Sequence, residues 1–222
     1  MALMLCGGLL AACGQAASPG GRQPGAAQEG SFHTETALGA VRLSVGVTPG
    51  PRRASLAASA GEQGLVVDYE LVNTGTEPVL VEDRVPDSLG SGVLPRTLDP
   101  ERAWVYLADG HLRVSKQGFS PAPGVRFIAA PVTGARLLGA HGHLAGRAWV
   151  PLPPRLDVPG PQFQAPRTPI DPRTTEVQLC LQLGSPANAR PSTSGPSVLE
   201  VPVAAPGPKD LLCSPIVGLP GV

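Results

Sequence analysis

Asp68 and Glu70 stand two residues apart in Leu65-Val66-Val67-Asp68-Tyr69-Glu70-Leu71-Val72-Asn73. In an extended strand such residues share a face, about 7 Å apart by strand rise. Two carboxylates so placed are what acid–base work across a sugar ring requires, one protonated and one charged. The solvated face of a strand gives the same pattern, and the alternating apolar residues favour that reading. Glu82, Asp83 and Asp87 form a second acidic group, of the oxygen-donor type that holds Ca²⁺. They lack the glycine and the ligand spacing of a calcium loop, and read as a solvated loop. His141 and His143 flank Gly142; in a strand both imidazoles would point one way, as a transition-metal chelate needs. Two ligands do not complete a site, and a surface loop is the better reading. Gly90-Ser91-Gly92 lacks the strand–elbow–helix context that activates a serine. No His-Glu-x-x-His, Cys-x-x-Cys or glycine-rich phosphate loop occurs. No metal, cofactor or catalytic residue is therefore assigned. Trp104, Tyr106 and Trp149 are candidates for an outward binding patch. The competing and favoured reading puts Trp104 and Tyr106 in the core of a second sheet.

The elements that must carry these residues have a period of two. Val41 to Val47, Leu65 to Asn73, Val177 to Leu183 and Leu199 to Val203 alternate apolar with polar residues, the mark of half-buried strands. Pro78 to Glu82 returns as a strand after the turn Asn73-Thr74-Gly75-Thr76. Weaker strands are expected at 125–129, 136–138 and 143–152. The clearest local signal is Trp104 to Ser115, where Asp109-Gly110 separates two alternating segments as a type I′ hairpin turn does. Pairing Ala108 with His111 sets Leu107 opposite Leu112 and Val105 opposite Val114 on one apolar face. Tyr106 then meets Arg113, and Trp104 meets Ser115, on the other; a slip of one residue would mix the two sets. Residues 151–172 hold eight prolines and predict a long extended loop with little ladder bonding. About nine short strands joined by turn residues predict an all-β, antiparallel β-sandwich with long Pro/Gly-rich loops, a barrel being the alternative.

Composition narrows the function classes. Charge is balanced, with 17 basic and 17 acidic residues, so there is no basic stripe for nucleic acid. Gly and Pro total 55 of 222 residues while 42% are hydrophobic, which suits short apolar strands joined by breaker-rich loops. Arginine outnumbers lysine 15 to 2, which reads as genome composition, not as a site.

The first residues end in Leu10-Ala11-Ala12-Cys13-Gly14 after a short uncharged run. This resembles the lipobox of bacterial lipoproteins. The run is far shorter than the ~20 residues that span a bilayer, and fits a signal h-region. The resemblance implies that residues 1–12 are a signal peptide and that Cys13 is lipidated, with a membrane as partner through the lipid. No lysine or arginine precedes the apolar run, so a basic segment is expected upstream of Met1. Residues 13–35 begin Cys13-Gly14-Gln15-Ala16-Ala17-Ser18-Pro19 and read as a lipidated flexible tether, leaving 36–222 as a single sandwich domain. With Cys6 in the signal and Cys13 on the lipid, Cys180 and Cys213 remain as an even pair in an oxidising compartment. Two buried free thiols are the alternative. Cys180 shares its strand face with Gln178 and Gln182, which favours a disulfide.

The segment Val67-Asp68-Tyr69-Glu70-Leu71-Val72-Asn73-Thr74-Gly75-Thr76-Glu77-Pro78-Val79 resembles the strand, Asn-x-Gly turn, strand of immunoglobulin-like bacterial surface domains. That implies an immunoglobulin-like sandwich and nothing about activity. The expectation is a cell-envelope lipoprotein that binds or scaffolds a protein or glycan without catalysis. The alternatives are an envelope glycan hydrolase using Asp68 or Glu70, and an inhibitor-like module presenting its 151–172 loop.

Overall fold

A computed structural model describes residues 32–53 and 61–220. The expected signal peptide, Cys13 and the tether up to residue 31 lie outside the described residues. Thirteen strands follow one another: β1 (Phe32–Leu38), β2 (Val41–Pro51), β3 (Gln63–Asn73), β4 (Val79–Arg84), β5 (Trp104–Ala108), β6 (His111–Lys116), β7 (Val132–Leu138), β8 (His143–Pro151), β9 (Glu176–Gly184), β10 (Arg190–Pro191), β11 (Leu199–Pro202), β12 (Leu211–Cys213) and β13 (Val217–Gly218). Among the described residues the only helical element is a 3₁₀ turn at Pro186–Asn188. The class is all-β, in two facing sheets. Residues 125–129, expected as a weak strand, are irregular, with a bend at 128–129. Strand structure begins at Phe32, so residues 32–35 belong to β1 and not to the tether.

The first sheet has the order β1-β2-β3-β8. β2 and β3 pair over eleven residues, from Val41↔Asn73 to Pro51↔Gln63. Their alternation drives Val41, Leu43, Val45, Val47, Leu65, Val67, Tyr69 and Leu71 inward, all 3% exposed or less. Each apolar side chain so buried contributes roughly 1.5–3 kcal/mol. The second sheet has the order β10-β11-β7-β4-β9-β6-β5, with β12 and β13 also on β9. β9 organises it. Leu181 pairs with Lys116 and with Leu212, whereas Gln182 pairs with Glu82 and with Leu211. One edge of β9 therefore takes β6 and then β4 end to end, and the other edge takes β12 and β13. The β6–β9 pair is parallel, which departs from the all-antiparallel expectation. Some sixty residues separate the two strands, so no tight turn imposes antiparallel pairing.

The hairpin has the register that the sequence predicts, from Trp104↔Ser115 to Ala108↔His111. Asp109 (φ 51°) and Gly110 (φ 85°) both adopt the left-handed conformation of a type I′ turn. Val105, Leu112 and Val114 enter the core between the sheets; Leu107, nearer the turn, is only half-buried. The outer edge of β5 is closed by the proline-rich loop. Val105 N–H donates to the Asp157 carbonyl (2.7 Å), and Asp157 N–H donates back to that of Val105 (2.9 Å). Phe163 of the same loop is buried, and Gln164 N–H donates to the Ser120 carbonyl (2.8 Å). The 151–172 segment is thus tied to the sandwich at Asp157, Phe163 and Gln164.

Candidate functional site

Asp68 and Glu70 occupy the outer face of β3, with side chains 53% and 56% exposed. Asp68 is held by the guanidinium of Arg147, its cross-strand partner on β8, at 2.7 Å from Nε and 3.2 Å from Nη2. Glu70 lies 3.2 Å from His143 Nδ1. Each carboxylate has its own partner in open solvent, and nothing encloses the pair as a sugar ring would have to be enclosed. His141 has φ 52° and turns the chain into β8. The extended His141-Gly142-His143 chelate is therefore not formed. Ser91 uses its hydroxyl locally, donating to the Val93 carbonyl (2.7 Å).

Glu82, Asp83 and Asp87 do not form one solvated acidic loop. Asp87 alone is exposed; Glu82 and Asp83 are 3% and 0% exposed within β4. Consecutive residues of a strand point to opposite faces, which sends the two carboxylates to different surroundings: Asp83 shares the inward side of Val81, and Glu82 the other. Asp83 enters the inter-sheet space. Tyr69 Oη donates to it at 2.9 Å. Arg136 Nε donates to both its oxygens at 3.1 and 3.0 Å, and Arg84 Nη1 reaches it at 3.2 Å. Lys116, fully buried at the end of β6, completes the group. Its Nζ donates to the carbonyls of Asp83 (3.2 Å), Pro100 (2.7 Å) and Arg147 (2.8 Å), which uses all three protons of an ammonium.

These cations also close a sheet edge. On the outer edge of β8, the Arg147 carbonyl accepts from Lys116 and the Ala145 carbonyl accepts from Arg136 (2.8 Å). The Trp149 N–H donates to the Glu101 carbonyl (2.9 Å). An edge strand that would otherwise offer unpaired backbone groups is satisfied by the opposite sheet. Gly146 makes room for this, since a Cβ there would stand 2.2 Å from the Tyr69 hydroxyl oxygen. Burial pushes the Asp83 carboxyl upward, but the Arg136 hydrogen bonds and the charges of Arg84, Lys116 and Arg136 hold it below its ordinary value. Burial pulls the Lys116 ammonium down to about 7 against the upward pull of Asp83. Burial and then the Asp83 charge raise the Tyr69 phenol well above its ordinary range. Within the cluster, Asp83, Lys116 and Tyr69 are buried between the sheets, while Arg84 and Arg136 reach the surface at 15% and 19% side-chain exposure. The period of two could have found it: Lys116 follows Leu112 and Val114 on the inward face, and Tyr69 lies between the inward Val67 and Leu71.

The aromatic residues do not form a surface patch. Trp104, Tyr106 and Trp149 are 0%, 3% and 7% exposed. Trp104 and Tyr106 face away from the inter-sheet core but into a second apolar cluster with Val85, Leu89, Phe119 and Phe163. Loops build that cluster over the hairpin, and period-two reasoning within strands does not register it. Trp104 Nε1 donates to the Gln117 carbonyl at 2.9 Å. Trp149 carries the Arg52 guanidinium 5.1 Å from its ring centroid. Beside it opens a cavity of about 340 Å³ lined by Arg52, Arg102, Arg155, Glu62 and Asp157. Arg52 pairs with Asp99, and Arg102 pairs with Asp157 at 2.9 Å. Two of its lining arginines are thus engaged by carboxylates.

Cys180 and Cys213 form a disulfide between β9 and β12, at directly paired positions with Cα atoms 4.1 Å apart. Cys180 lies on the strand face of Gln178 and Gln182, as the alternation requires. No protein-family model, curated protein or solved structure matches the chain.

Proposed function

We propose that the chain is a cell-envelope lipoprotein, anchored through lipidated Cys13, whose β-sandwich binds or scaffolds an envelope protein or glycan without catalysing a reaction. The observation that carries the reading is Leu10-Ala11-Ala12-Cys13 directly after an uncharged apolar run. The Cys180–Cys213 disulfide supports it, because such bonds persist in oxidising, extracytoplasmic compartments. The sandwich supports the binding role. Asp68 and Glu70 lie open on a strand face, Asp68 against Arg147 and Glu70 against His143, in the manner of a solvated contact surface. The ionic groups with displaced titration between the sheets are engaged with one another and with backbone carbonyls. Expression of the whole gene product in a bacterium fed labelled palmitate tests the anchor. The wild type takes up label and fractionates with membranes, and Cys13→Ala does neither. Label retained in Cys13→Ala overturns the reading.

A further inference from the structure

Glu82 is the buried acid that the inter-sheet cluster leaves out. It is 3% exposed, and its Oε2 has no hydrogen-bond partner. A buried carboxyl oxygen without a partner is rare and calls for a ligand, a water or an ion. Gln182, directly opposite on β9, has turned away: its Oε1 accepts from Gly118 N–H (2.8 Å) and its Nε2 donates to the Ala204 carbonyl (3.3 Å). Glu82 borders a cavity of about 340 Å³, whose other oxygen-bearing side chains are Gln182, Ser185, Asn188 and Asp210. Asp210 is exposed; its backbone is fixed beside β9 by the Leu183 N–H bond to its carbonyl (2.7 Å), and its Oδ2 accepts from Gly207 N–H (3.1 Å). Among the described residues the charged groups lining the cavity are Glu82 and Asp210 alone, with no arginine, lysine or histidine. Burial above all, with the Asp210 charge second, pushes the Glu82 carboxyl up to about 8.

We propose that this cavity is a binding site for a hard divalent cation, with Ca²⁺ the best fit, held by the carboxylates of Glu82 and Asp210. Asn188, Ser185 and water would supply neutral oxygens. The donors are all oxygen, and no cysteine or histidine lines the cavity, which selects against zinc and copper. Among the described residues no three His, Cys, Asp or Glu side chains converge. Two carboxylates completed by neutral oxygens suit an ion that tolerates irregular coordination, and a dissociation constant of about 10⁻⁴–10⁻³ M, as in extracellular modules. This inference is independent of the lipid anchor.

The test is thermal unfolding of the full chain, freed of metal with chelator, against CaCl₂ and against NaCl of equal ionic strength. At ten to thirty times the dissociation constant, CaCl₂ should raise the wild-type midpoint by roughly 3–8 °C beyond the NaCl control. Glu82→Gln, which keeps the side-chain shape, should abolish that shift, and Asp210→Asn should abolish or greatly reduce it. Without cation at pH 7.5, Glu82→Gln should unfold no lower than wild type, which separates loss of binding from loss of fold. No shift beyond the NaCl control, or an equal shift in wild type and Glu82→Gln, overturns the site.

Discussion

Two neighbouring carboxylates on β4 have opposite fates, and each yields a measurement. Asp83 compensates buried cations. Replacing it with asparagine keeps the shape but leaves Lys116 and Arg136 without their counter-charge. Removing one partner of a buried ion pair costs roughly 3–5 kcal/mol, whereas an exposed pair is worth about 0–1. Asp83→Asn should therefore lower the urea midpoint sharply and Asp68→Asn should barely move it; equal midpoints would show that the cluster does not hold the sheets. Glu82 works the other way. Its carboxyl is raised to about 8 in the fold, so the protonated form is the one the fold accommodates. That contribution is fully present below the ordinary carboxyl value and is lost as pH rises toward 8, on the order of 4 kcal/mol across the interval. In chelator, wild-type stability relative to Glu82→Gln should fall between pH 5 and pH 8. Taking the difference cancels Asp83 and Lys116, which titrate in both proteins. Parallel pH profiles would contradict the burial of a lone acid. Of these residues, Lys116 was legible, because it continues the inward set Leu112 and Val114. Glu82 and Asp83 were not, because the partners that bury them on the two faces of β4 come from segments distant in sequence.

At the scale of elements, the hairpin was readable because two independent signals agreed. The Asp109-Gly110 turn and the apolar alternation select one register, and the structure has it. Burial along the hairpin is uneven: Leu112 is 0% exposed, whereas Leu107 is half-buried near the turn. Leu112→Ala should cost roughly 2–5 kcal/mol and Leu107→Ala clearly less. Gly110→Val should destabilise although it adds apolar surface, because φ of 85° is hostile to a β-branched residue. A Gly110→Val protein as stable as wild type, by chemical denaturation, would mean that the turn is not type I′. Pairing between distant strands was not legible. The parallel contact of β6 with β9, and the end-to-end placement of β6 and β4 on one β9 edge, are decided by packing across more than sixty residues. The second apolar cluster escaped for a related reason: Val85, Leu89, Phe119 and Phe163 come from loops, where no periodicity marks an inward side.

At the scale of the whole molecule, the proposed lipid anchor at Cys13 and the disulfide-closed sandwich belong together. Both depend on export, since a cytosolic chain would keep Cys13 unmodified and Cys180 and Cys213 reduced. The bridge closes a separation of 33 residues and stabilises the fold by roughly 4 kcal/mol on the chain-entropy view. The class and the cysteine pairing were legible because alternation assigns faces and the cysteine count leaves one pair. The partner was not: Trp104 and Tyr106 are packed inside, as the favoured reading had them, and Trp149, the third candidate for an outward patch, is buried too. The most direct measurement is the unreduced intact mass, with peptide mapping, of the protein purified from membranes of an expressing bacterium. The account predicts a chain that lacks residues 1–12, carries diacylglycerol on Cys13 and links the Cys180 and Cys213 peptides. A chain with Cys13 unmodified, or with Cys180 and Cys213 both open to alkylation in the native protein, would contradict it.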